Sequence, residues 1–228
     1  MNLVSYEFGQ VLQLIRLEEM RPPSGVYVPD LHRAIRERYR FVTGPDPNLT
    51  PPTEGSKFEV GILPLGGRMI NIKSLGIYVD GLVIACWNTD DADAITDEFI
   101  AWMIETFRLR PPQTHIPRRH SSSVVVDFDV SMDEFLLDFS KIASAFQAFR
   151  ETDQGVAAEV HLNRIAIGPD LVVGANASQT TFVLEQKAAT TASDRRYFSG
   201  APLTSAAHLA LLQEIESIAG RRIDNQLR

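Results

Sequence analysis

Three apolar runs lie close together in the first half of the chain: Phe58–Leu63, Met69–Leu75 and Ile77–Trp87. Gly66-Gly67 and Asp80-Gly81 sit at turns between or within them, and Asp-Gly among apolar runs is a strong hairpin signal. A helix is expected directly afterwards, in "NTDDADAITDEFIAWMIETF". Asn88 or Thr89 can cap it, and Asp90, Asp91 and Asp93 suit the positive end of its dipole. Ile95, Phe99, Trp102, Met103 and Phe107 recur at helical spacing and mark its buried stripe. Strand hairpins followed by an amphipathic helix point to an α+β fold.

The second half repeats this grammar. "SVVVDFDV" reads as a strand, and "SMDEFLLDFSKIASAFQAF" as a helix opened by the capping box Ser131 and Glu134. Strands are expected at 157–167, 171–173 and 181–186. A polar loop then leads to a last helix over 204–219, with Leu211, Leu212, Ile215 and Ile218 inward and Gly220 as its stop. The stretches 74–84 and 164–173 share apolar alternation and an Asp at the turn, which raises an internal duplication. The Pro-rich connection 111–120 separates an N-terminal unit, 1–110, from a C-terminal unit, 121–228. Each unit is expected to hold its own antiparallel sheet packed on amphipathic helices. At the N-terminus, Phe8, Val11, Leu12 and Ile15 follow the i, i+3, i+4, i+7 spacing, which predicts a helix over 3–20. A second helix is expected from Pro29-Asp30, with Leu31, Ile35 and Tyr39 on one face, so a helical hairpin precedes the first strands.

Composition narrows the function classes. The net charge of -7 argues against a general nucleic-acid binder. The single cysteine, Cys86, excludes an intramolecular disulfide and the usual four-ligand zinc sites, and it fits a reducing compartment. "MNLVSYEFGQVLQLIRLEE" lacks the basic and apolar regions of a signal peptide, and no apolar run is long enough to span a bilayer. A cytoplasmic protein without a membrane segment is expected. Cys86 itself, within an apolar strand and with no histidine nearby in sequence, reads as a buried structural thiol.

Three constellations could carry function. In "GPDLVVGANASQTTFVLEQK", Pro169-Asp170 is followed by Glu185-Gln186-Lys187. This spacing resembles the PD-(D/E)xK nuclease superfamily. The resemblance implies Mg²⁺ held by Asp170 and Glu185, Lys187 acting on the attacking water, and Glu134 completing the site. The other reading is a plain hairpin with Asp170 in its turn and Glu185 and Lys187 on its wet face. Asp127 and Asp129 share one face of a strand, where a metal pair or a solvated face would produce the same pattern. Arg108, Arg110, His115, Arg118, Arg119 and His120 form the most basic local stretch, which Arg33, Arg36 and Arg40 on one helix face could extend. From it, Arg110, Arg118, Arg119 and His120 are the candidate binding residues, for phosphate or an acidic partner.

The expected function is a non-catalytic interaction or assembly protein, a subunit of a bacterial multiprotein complex with a protein partner or a second copy of itself. The alternatives are a metal-dependent nuclease and a binder of a small phosphorylated ligand held between the two halves.

Overall fold

The computed structural model describes residues 1–15, 17–20, 22, 25–46, 55–111, 118–130, 164–168, 181–190 and 194–226. They form a mixed α+β chain. Its elements are β1 (Asn2–Leu14), α1 (Leu17–Met20), α2 (Val28–Arg38), β2 (Ser56–Leu65), β3 (Arg68–Tyr78), β4 (Gly81–Cys86), α3 (Thr89–Phe107), β5 (Arg119–Asp127), β6 (Arg164–Ile167), β7 (Phe182–Gln186), β8 (Arg196–Ala201) and α4 (Ser205–Gln226). The helix expected over 131–150 and the strand expected over 171–173 lie outside the described residues.

The described strands hydrogen-bond in one order, β2-β3-β4-β1-β5-β8-β7-β6, where two separate sheets were expected. The chain divides into two compact units. One comprises Tyr6–Ser122 with Pro202–Ser205. The other comprises Met1–Ser5, Ser123–Ala201 and Ala206–Arg228. β1 and β5 contribute residues to both.

In the unit built on Tyr6–Ser122, β2-β3-β4 is an antiparallel meander, and β4 pairs antiparallel with β1. One apolar core gathers Val11 of β1, Ile15 just after it, Phe58, Ile70, Ile72, Leu75 and Ile84 of the meander, and Ile35 of α2. It also takes Ile95, Phe99 and Met103 of α3. Asn88 caps α3 as expected, its side chain accepting a hydrogen bond from the Asp91 N–H at 2.8 Å. α2 and α3 are clasped together. The Tyr39 hydroxyl donates to Glu98 at 2.5 Å, Arg38 Nε donates to the same carboxylate at 3.0 Å, and the Arg38 guanidinium lies 5.1 Å from the Trp102 ring centre.

The β2-β3 hairpin contains a phase shift. Phe58 faces the core opposite Leu75, and Leu63 faces it opposite Ile70, although strict alternation from residue 58 would turn residue 63 outward. The change of phase falls at Val60, whose φ of 56° is left-handed. Across from it, Ile72 and Leu75 are both inward with Lys73 and Ser74 between them. Both halves of the hairpin thereby reach the same core.

Of the helix expected over 3–20, residues up to Leu14 are instead β1, and among the described residues only Leu17–Met20 is helical, as α1. Val11 pairs with Ile84 and Gln13 with Leu82, and Val11, Gln13 and Ile15 are buried in alternation. Gln13 hides this alternation from a hydrophobicity pattern, because a polar residue occupies an inward position. Its place in the sheet also explains Gly9: a Cβ there would overlap the backbone of Asn88 and Thr89.

In the other unit, β6-β7-β8 is antiparallel, with Leu184 paired to Ser199. The segment 196–201, expected as part of a loop, is β8, and its inward side is Tyr197, Ser199 and Ala201. α4 does not stop at Gly220. It runs on to Gln226, because an interior glycine costs a helix only about 1 kcal/mol. His208, Leu212 and Ala219 are its fully buried side chains, while Ile218, expected inward, is exposed.

Candidate functional site

Arg118, the strongest of the expected binding residues, is spent inside its own unit. Its Nε donates to Gln13 Oε1 at 2.8 Å, Nη1 donates to Asp93 at 2.8 Å, and Nη2 pairs with Asp97. His120 Nε2 lies 2.8 Å from the other oxygen of Asp93. Burial works against the Arg118 charge, but hydrogen bonds to Asp97 and Asp93 outweigh it, so its pKa stands above the ordinary arginine value. Asp93 and Asp97 are one turn apart on α3, so their carboxylates share a face and converge on one guanidinium. This network joins β1, α3 and the start of β5. Arg119 is exposed on β5, and Arg110 is exposed beyond α3, its N–H donating to the Met20 carbonyl at 2.9 Å.

The acidic pair Asp127 and Asp129, at the end of β5 and just beyond it, separates in the same way. Asp127 receives a two-point fork from Arg196, at 2.8 Å from Nε and 2.9 Å from Nη2. That bond lowers the Asp127 pKa. Asp129 receives a different donor, the Asn2 side chain, at 3.5 Å. Of the nuclease-like set, Glu185 is on β7 with Arg164 Nε 3.7 Å away, and Lys187 follows β7 with its ammonium 5.9 Å from the Phe198 ring centre. Asp170 and Glu134 lie outside the described residues, as does His115. Among the described residues, no group of three or more His, Cys, Asp or Glu is placed to hold a metal ion.

Two reactive side chains are sealed. Burial pushes the Cys86 thiol up to about 12. His208 and Ser199 are both fully buried, with Nε2 and Oγ 2.9 Å apart. The serine hydroxyl donates to the Val183 carbonyl at 2.8 Å, so the histidine supplies the proton of their shared bond. Burial holds the pKa of His208 down to about 4.

Among the described residues of the Tyr6–Ser122 unit, two accessible surface features stand out. The first is an apolar strip at the β2 edge. Val60, Ile62 and Pro64 alternate with buried Gly61 and Leu63, and Met69 stands opposite Pro64. Val42 flanks the strip, its N–H donating to the Val60 carbonyl at 3.0 Å. Val42 is 63%, Val60 62% and Met69 50% exposed. The second is a concavity of about 700 Å³ along α2, lined in part by Arg33, Arg36 and Arg40. The helix spacing of these arginines was visible in the sequence. The strip was not, because no residue pattern announces the left-handed backbone at Val60.

No protein-family model matches this sequence, and neither a curated protein nor a solved structure is significantly similar to it. No described helix is long and apolar enough to cross a membrane.

Proposed function

We propose that this chain is a non-catalytic interaction protein that meets a protein partner through the strip at the β2 edge. Val60 carries the reading. The phase shift of the hairpin needs a left-handed backbone at this position, but it does not need a valine. Glycine or asparagine would take φ 56° at lower cost, and a β-branched residue there stores about 1–3 kcal/mol of strain. The exposed side chain recovers little of that by packing within the chain. A strained apolar residue kept in the open, with Val42 and Met69 beside it, supports burial against another protein. The internal pairing of Arg118 with Asp93 and Asp97 and of Arg196 with Asp127, and the burial of Cys86 and His208, support binding over chemistry. The sequence likeness of 74–84 to 164–173 supports reading the two halves as copies of one such unit.

The test is site-specific photo-crosslinking in the cell that makes the protein. A photoreactive residue at position 60 is expected to give a discrete adduct with a protein, another copy of the chain included. The same residue at exposed Glu105 on α3 is expected to give none. Equal adducts at both positions, or none at position 60, would remove the proposal.

A further inference from the structure

We infer that the concavity along α2 binds a small phosphate ester that also carries hydroxyl groups. Its volume of about 700 Å³ falls within the usual range for small-molecule sites. Arg33, Arg36 and Arg40 line it from one side of the helix and its C-terminal turn, three cations in a chain of net charge -7. Their positions are partly fixed in advance. Arg36 uses one N–H on the Val42 carbonyl at 3.2 Å, which ties the guanidinium to the rim and leaves its other donors for a ligand. Arg33 is paired with Asp30 at the mouth. Arg40 makes no ion pair among the described residues and has a left-handed φ of 50°, which carries its side chain off the regular helix path. Guanidinium groups bind phosphate oxygens in a planar, two-point fashion, so Arg36 and Arg40 are the phosphate ligands.

The rest of the lining selects what the phosphate is attached to. Glu37 lines the same concavity and makes no ion pair among the described residues. A carboxylate beside a phosphate site repels any phosphate anion, and the separate alcohol hydroxyls of an ester offset that repulsion by donating hydrogen bonds to it. His32 lies at the inner wall, nearly buried, with Nε2 2.8 Å from Ser56 Oγ and its ring edge-on to Phe58. At the rim Tyr27 is 71% exposed and stands at the N-cap of α2, where its side chain makes no capping bond. Its ring offers a flat face to an organic moiety in place of the cap that Ser or Asp would supply.

The experiment is calorimetric titration of the full chain with ribose 5-phosphate, ribose and inorganic phosphate. The wild type is compared with Arg36→Ala, Arg40→Asn and Arg119→Ala, and thermal melts confirm that all four are folded. Asparagine keeps the left-handed position 40 accessible. Saturable binding of ribose 5-phosphate is expected, with ribose and phosphate each weaker by about tenfold or more. Arg36→Ala and Arg40→Asn should each weaken the ester by about tenfold, while Arg119→Ala should leave it unchanged. Absence of saturable ester binding to the wild type overturns the inference, as does equal weakening by Arg119→Ala. Phosphate binding as tightly as the ester would overturn the role given to Glu37. None of these outcomes bears on the strip at Val60.

Discussion

Single residues show where side-chain chemistry and backbone geometry disagree with a hydrophobicity pattern. Gln13 is polar and inward, because Arg118 needs its amide oxygen. That one contact turned a strand into an apparent helix when the apolar residues around it were counted. Arg118 stands out in the sequence as a cation for phosphate or an acidic partner, but its partners in the structure, Asp93, Asp97 and Gln13, are 25, 21 and 105 positions away, beyond the reach of local spacing. Val60 is the opposite case, an ordinary residue type in a left-handed conformation. Replacing it with asparagine should relieve strain, so Val60→Asn is expected to raise stability by about 1 kcal/mol in urea denaturation. A loss of stability instead would mean that the valine side chain packs to advantage within the free chain.

At the level of elements, legibility followed locality. The α3 cap, the α2 start and the Gly66-Gly67 turn rest on neighbouring residues, and the structure has them where the sequence implies. β8 was hidden because its alternation, Tyr197, Ser199 and Ala201, sets a serine inward, held there by Val183 and His208. The end of α4 was misplaced because glycine weakens a helix without being bound to end it. The α3 cap gives a direct prediction. Asn88→Ala removes the acceptor of the Asp91 N–H and should cost about 1 kcal/mol, with thermal unfolding as the readout. An unchanged melting temperature would show that the cap is dispensable. The hairpin residues Glu185 and Lys187 were placed on or beside a strand correctly, but their relation to Asp170 lies outside the described residues.

For the whole molecule, the α+β class was legible and the strand order was not. Adjacency of β1 to both β4 and β5 depends on pairings between distant segments, which no window of sequence contains. Stability of the whole chain should also carry the signature of one buried histidine. His208 is held near 4 in the folded state against an ordinary 6.5, so between these values the unfolded chain binds a proton that the folded chain refuses. Stability is therefore fully present above about 6.5 and declines as pH falls, by about 2 kcal/mol near pH 5 and about 3 kcal/mol near pH 4. Urea denaturation at about pH 7 and about pH 5 should show this loss, and His208→Gln should reduce it, leaving the smaller part that buried His32 contributes in the same direction. A slope unchanged in the variant would assign the acid sensitivity elsewhere. The paired phase change in β2 and β3 has a further consequence, for how the chain reaches this state. A uniform hairpin can slide by two residues and still present apolar side chains to its core. Here such a slide would set the kink at Val60 against a straight stretch of β3, so that one half or the other would turn its apolar side to water. The irregularity acts as a key in a keyway: it makes misaligned pairings self-cancelling and leaves one alignment that survives collapse.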